Sequence, residues 1–138
     1  MRRWVAIGLL AVVLAWASVS SSQVVSGPCP YSPRPLVAFA FETLSVTYTP
    51  AVSFTAATYA PSGVRAADVA VISVGPGFSV RYRLDGTAPT LTVGHHSAAV
   101  LTPISVCGAS NVSRFQAILP NASNDGPAVV SVTYFRVQ

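Results

Sequence analysis

The sequence predicts an all-β fold, an antiparallel β-sandwich of about eight or nine short strands, and three observations carry that expectation. Apolar and polar residues alternate at period two in one segment after another, and no stretch sustains a helical period. The chain holds 22 valines and many threonines, residues whose branched side chains suit a pleated surface. Clusters of Gly, Pro, Asn and Asp interrupt the alternation every ten residues or so, as hairpins and sandwich corners require. A jelly roll is one arrangement open to such a set of strands, and no room is left for a substantial helix.

The elements follow in order. Arg2 and Arg3 lead into the apolar run from Trp4 to Leu14. Ala15-Trp16-Ala17 then places small residues at the two positions read before cleavage, so residues 1–17 have the shape of a secretory signal peptide. The run falls short of the roughly 20 residues that cross a bilayer, so a retained anchor is the lesser reading and no stable span is expected in the mature form. Residues 18–35 form a Ser- and Pro-rich leader; Pro28, Pro30, Pro33 and Pro35 are too closely spaced for helix or central strand.

Residues 36–138 then read as one β-sandwich domain. From Leu36 to Glu42, strict alternation would put Val37, Phe39 and Phe41 on one face. Leu44, Val46 and Tyr48 continue the pattern, as do Val52, Phe54 and Ala56 after Pro50. Asp68 to Val74 is nearly all apolar, as in a strand covered on both faces. Val80, Tyr82 and Leu84 alternate with Arg81 and Arg83, giving one wet face. Leu91–Val93, Val100–Val106, Phe115–Leu119 and Val129–Val137 complete the set. Turns are expected at Pro61-Ser62-Gly63, Gly75-Pro76-Gly77, Asp85-Gly86, Gly108 and Asn124-Asp125-Gly126-Pro127.

Charge narrows the function. Hydrophobic residues make up 51% of the chain and charged residues only 9%, with eight arginines, no lysine, and Glu42, Asp68, Asp85 and Asp125 as the acids. Four dispersed carboxylates provide little material for an acidic metal cage or a catalytic carboxylate pair. Removing residues 1–17 takes two arginines with it, leaving six cations against four acids, neither large nor clustered enough to predict nucleic acid as a partner.

Cys29 and Cys107 are the only cysteines, and in an exported chain they are expected to pair. Closing so long a loop contributes on the order of 4 to 5 kcal/mol in the chain-entropy picture. No Cys-x-x-Cys occurs, and the adjacent His95 and His96 are expected in a turn after Gly94, while on a strand they would point to opposite faces. Neither a metal site nor a cofactor is therefore expected. A small hydrolase using His95 is the enzymatic alternative, but Gly-x-Ser-x-Gly is absent and no catalytic residues are assigned. Asn111-Val112-Ser113 and Asn121-Ala122-Ser123 match the glycosylation pattern.

The most distinctive segment runs from Val80 to Thr90. Asp85 can accept downstream N–H groups in an Asx turn, Gly86 can adopt a positive φ, Thr87 lies within reach, and Pro89 ends the ladder. Arg81 and Arg83 would present two forked donors on one face to a carboxylate, phosphate or sugar; paired with nearby acids, they are simply a solvated strand face. Aromatics at apolar strand phases are expected in the core. Tyr134 and Phe135 are neighbours, so one must leave the core, and Tyr134 joins Arg81 and Arg83 as the tentative ligand-binding set.

Phe54-Thr55-Ala56-Ala57-Thr58-Tyr59, Ala66-Ala67-Asp68-Val69-Ala70, the Val80–Thr90 segment with Val93-Gly94-His95, Phe115-Gln116-Ala117-Ile118 and Val130-Ser131-Val132-Thr133-Tyr134 carry a resemblance. In that order, over roughly residues 44 to 136, the chain resembles a family of small all-β structural proteins encoded among tailed-phage and prophage genes. The resemblance implies a non-enzymatic, virion-associated β-sandwich that associates with itself or with other assembly subunits. Tyr82 to Thr90 is also similar to the Tyr-x-x-Asp-Gly-x-x-Pro-Thr segment of the small β-sandwich domain appended to chitobiase-type secreted enzymes, which implies an exported module that binds cell-wall glycan. Either way, an exported location is expected: periplasm, cell surface or extracellular space, or the virion under the first resemblance.

Overall fold

A computed structural model describes residue 29 and residues 34–97, 103–121 and 126–138. The signal peptide, most of the leader, Asp125 and the expected strand start near Val100 lie outside the described residues. Among the described residues eight strands are present: β1 (Leu36–Val46), β2 (Val52–Ser53), β3 (Val69–Val74), β4 (Val80–Arg83), β5 (His95–Ser97), β6 (Ile104–Cys107), β7 (Gln116–Ile118) and β8 (Ala128–Val137). Two short helices join them, α1 (Ala56–Tyr59) and α2 (Ala109–Arg114). Among the described residues no helix is long and apolar enough to cross a membrane.

The strands form two four-stranded sheets, ordered β1-β8-β3-β6 and β2-β7-β4-β5. Every pairing is antiparallel, and the first strand pairs with the eighth, the second with the seventh, the third with the sixth and the fourth with the fifth. One long hairpin, four strands out and four back, rolled so that its pairs fall alternately into two sheets, produces this order. It is the jelly-roll form of the β-sandwich. Between the sheets, Leu44, Val46, Ala70, Ile72, Val106, Val130, Val132 and Tyr134 of the first sheet meet Phe54, Val80, Phe115 and Ala117 of the second layer. Phe54 stacks on Phe115 with ring centroids 4.1 Å apart and meets Tyr134 edge-on at 5.5 Å, so three rings form the centre of the core.

β1 departs from strict alternation. Its register against β8 shifts between Ala38 and Ala40, leaving Phe39 as the extra residue of a β-bulge. The bulge reverses the phase of all that follows. Phe39 stays on the inner side, with the Arg136 guanidinium 3.5 Å above its ring, while Phe41 turns outward and is 60% exposed. The expectation of Val37, Phe39 and Phe41 on one face is corrected accordingly, and Glu42 takes the inner position instead. Its carboxylate accepts hydrogen bonds from the Tyr134 hydroxyl and from the Thr55 N–H at 3.1 Å.

Other boundaries moved for local reasons. The strand expected through Phe54 and Ala56 ends at Ser53, and Ala56–Tyr59 forms one helical turn, closed before Pro61. Leu91–Val93 lies in bends, and the paired strand comes later, at His95–Ser97. Gly108, at φ 93°, turns the chain into α2, which buries Val112. β3 is covered on both faces only at its start: Val69, Ala70 and Ile72 are buried, but Ser73 is exposed.

The disulfide joins Cys29 to Cys107 across a Cα–Cα distance of 5.8 Å, within the range such bridges span. It rests on the outer face of the first sheet, where Cys29 packs with Leu36, Val69 and Phe135 in a second apolar cluster. Asp68 fastens the same end. Its carboxylate accepts the Val137 N–H at 2.9 Å and pairs with Arg65 at 2.6 Å, and its backbone bonds Phe135 and Gly108.

Candidate functional site

The Val80–Thr90 segment runs from β4 into a long connection that returns at β5. Val80 is buried in the core, so alternation sends Arg81 and Arg83 to the outer face of the second sheet. There the connection folds back over the strands. Gly86 donates its N–H to the Arg114 carbonyl at 3.1 Å, and the Gln116 amide donates to the Gly86 carbonyl at 2.8 Å. Pro89 is buried against this face. Gly94, at φ 130°, sits so close that a Cβ there would lie 3.1 Å from both Pro89 Cβ and the Tyr82 carbonyl oxygen.

Asp85 is the hub of the turn. One carboxylate oxygen accepts the Thr87 N–H at 3.0 Å and the Thr87 hydroxyl at 2.7 Å, the Asx-turn geometry expected of it. Both oxygens also take the forked donors of Arg83. The Arg83 hydrogen bond first, then the two from Thr87, hold the Asp85 carboxyl well below the usual carboxylate range. Arg83 is thereby neutralised by its own turn. Arg81 lies half-buried and donates to the Gly94 carbonyl at 3.4 Å, with its Nε buried and unpaired. An open groove of about 500 Å³ is lined by Arg83, Leu84, Asp85, Val93, Gly94 and His95.

The histidines are strand residues, where the sequence placed a turn. His96 sits opposite Arg81 and His95 opposite Tyr82, with the Tyr82 and His95 rings 5.2 Å apart, so the two imidazoles take opposite sides of the sheet. Among the described residues no three metal-ligating side chains gather.

Tyr134 requires correction as a ligand-binding residue. It is 0% exposed, and burial first, then its bond to Glu42, pushes its hydroxyl far above the ordinary value of 10.0. Its neighbour Phe135 does leave the main core, but Cys29, Leu36 and Val69 cover it, so neither ring is an outward platform. Arg81 and Arg83 share a face with the turn motif of Asp85, Gly86, Thr87 and Pro89; Tyr134 belongs to the opposite sheet. What the arrangement does chemically is hold a loop shut over the second sheet. Asn111 of the first sequon uses its amide nitrogen to bond the Cys107 carbonyl at 2.8 Å.

The feature that sequence reading missed lies on the other sheet. Beyond the bulge, the outer face of β1-β8-β3-β6 presents Phe41, Thr43, Val129, Ser131, Thr133 and Val71, and no charged side chain stands on it among the described residues. Val129 is 55% exposed beside the 60% of Phe41. A solvated sheet face is ordinarily studded with charge, and this one is not. No family model matches the chain, nor does any curated protein or solved structure.

Proposed function

We propose that this protein is an exported, non-catalytic structural β-sandwich that works by seating the outer face of its first sheet against other protein subunits of a larger assembly. The observation that carries the reading is that uncharged face, with Phe41 and Val129 standing out from it. Several features add support. The jelly-roll order is an architecture that capsid and lectin domains share, although a fold by itself assigns no function. The disulfide suits an oxidising compartment. The polar constellation at Asp85 satisfies itself, which argues for a structural turn over a reacting centre.

Velocity sedimentation of the exported fraction from cells making the full chain tests this. The wild-type chain is expected to travel with high-mass particles, and Thr43→Arg, which sets a charge on the face at an exposed position, is expected to release it to the low-mass fractions. A wild-type chain found only at low mass, or one that Thr43→Arg does not release, overturns the reading.

A further inference from the structure

We propose that the Cys29–Cys107 bridge is a thiol-sensitive latch: its reduction frees Cys29 from the first sheet and uncovers Phe135 and Val69 beside the assembly face, while both sheets stay folded. The latch is a property of the chain alone; that it governs assembly rests on the reading above.

Burial along two neighbouring strands marks where the cover stops. On the outer phase of β8, Val129 is exposed, Ser131 and Thr133 are half-buried, and Phe135 is 5% exposed. On that of β3, Ser73 is exposed, Val71 is half-buried and Val69 is buried. Val69 pairs with Phe135 on one side and Cys107 on the other, so both gradients end at the same row of the sheet. An outer sheet face is open to water unless something lies on it. Among the described residues, what lies on this end is Cys29, packed with Leu36, Val69 and Phe135.

The bridge and the ladders hold different things. Cys29 belongs to no strand, and its covalent tie is to Cys107 at the end of β6, one edge of the sheet. The nearest backbone fastening along the chain is at the opposite edge, where the Pro35 carbonyl accepts the Gln138 N–H at 3.1 Å and Leu36 begins β1. Without the bridge, Cys29 is tethered only from across two intervening strands. The sheet beneath it has fastenings of its own. Gly108 donates its N–H to the Asp68 carbonyl at 2.7 Å, the Asp68 carboxylate accepts the Val137 N–H at 2.9 Å, and β6 keeps its ladder to β3. The central core around Phe54, Phe115 and Tyr134 contains neither cysteine. Reduction breaks the S–S bond and none of these contacts.

The step is exchange with a dithiol reductant. Its thiolate attacks Sγ of Cys107, the more exposed cysteine, to form a mixed disulfide, and the expelled Cys29 thiolate takes up a proton. The reductant's second thiol gives up its proton, closes a cyclic disulfide and releases the Cys107 thiolate to be protonated. Two electrons pass to the bridge, and the dithiol is oxidised. Once uncovered, Phe135 and Val69 run directly into Thr133 and Val71, the row that also carries Phe41, so the uncharged surface gains a second aromatic ring.

Hydroxyl-radical labelling of the purified full chain, oxidised against treated with dithiothreitol that is then removed under argon, tests the latch. Labelling of Phe135 is expected to rise at least about threefold, while Phe115, 2% exposed, stays protected and the circular-dichroism signal of the strands is kept. Cys29→Ser with Cys107→Ser is expected to show the raised Phe135 labelling without reductant and no response to it. Phe135 unchanged by reduction overturns the latch, because the cover then stays without the bridge. Phe115 labelled together with Phe135 overturns it too, because the bridge then holds the fold itself. In the sedimentation assay, dithiothreitol is expected to cut the low-mass share of the chain at least about twofold, and Thr43→Arg to cancel that gain. An indifferent distribution, or a gain that survives Thr43→Arg, overturns the control of assembly and leaves the latch to its labelling result. Thr43→Arg without reductant decides the assembly reading separately.

Discussion

Removing the disulfide is the perturbation whose size follows most directly from the structure. Cys29 and Cys107 are 78 residues apart, and opening a loop of that length returns about 4.5 kcal/mol of conformational freedom to the unfolded chain. Domains of this size are stable by only about 5 to 15 kcal/mol, so the loss takes a large share of the total. Cys29→Ser with Cys107→Ser also loosens the seal over Leu36, Val69 and Phe135. Urea unfolding followed by circular dichroism, wild type against the double variant, measures the difference. With slopes of about 1 to 3 kcal/mol per molar urea for small proteins, the midpoint is expected to fall by roughly 2 M. The slope itself should rise, because an uncrosslinked unfolded chain expands further and exposes more surface. A loss below about 1 kcal/mol with an unchanged slope would refute the reasoning, since the bridge would then constrain nothing that unfolding releases.

Further predictions concern the core and the closed turn. Tyr134→Phe removes the donor to Glu42 but leaves the ring and the Thr55 N–H in place, so a loss of about 1.5 kcal/mol is expected in the same unfolding assay. No loss would mean that the bond is worth nothing. Tyr134 keeps its proton in the folded state beyond the pH at which an unfolded tyrosine ionises. Its contribution is therefore complete below about pH 10 and is lost as pH rises above it. Unfolding midpoints of wild type should fall above pH 10 more steeply than those of Tyr134→Phe; parallel curves would contradict the assignment. Gly94→Ala puts a side chain at φ 130° and 3.1 Å from Pro89, and is expected to cost about 1 to 3 kcal/mol and to speed amide exchange at Thr90, whose N–H is bonded to the Val93 carbonyl. Unchanged exchange would show that the loop is not held by this contact.

The fold class was legible because period-two alternation survives without knowledge of the partners: Val80 and Tyr82 inward against Arg81 and Arg83 outward needs only the pleat. The pairing of the two cysteines was equally accessible, and so was the Asx turn, since Asp85-Gly86-Thr87 contains its own donors and acceptors. The face that now carries the functional proposal was hidden by one residue. Nothing in Phe39 signals a bulge; it arises from how β1 must register against β8, a long-range pairing. Once it is present, Phe41 leaves the core phase and Glu42 enters it. Tyr134 and Phe135 misled for a related reason. Alternation correctly separated them, but which side was covered depended on Cys29, far away in sequence, closing over Phe135. Arg83 could be read from the sequence either as a ligand donor or as a partner of Asp85, and the turn bending back toward the strand makes the ion pair.

Hydroxyl-radical labelling of Phe41 and Tyr48, at 60% and 39% the two large exposed aromatics among the described residues, tests the use of the first sheet's outer face most directly. Labelled dilute and then in its associated form, the chain is predicted to lose modification at Phe41 while Tyr48 reacts as before. Equal labelling of Phe41 in both forms would contradict the account, because the face would then remain open to water however the chain assembles.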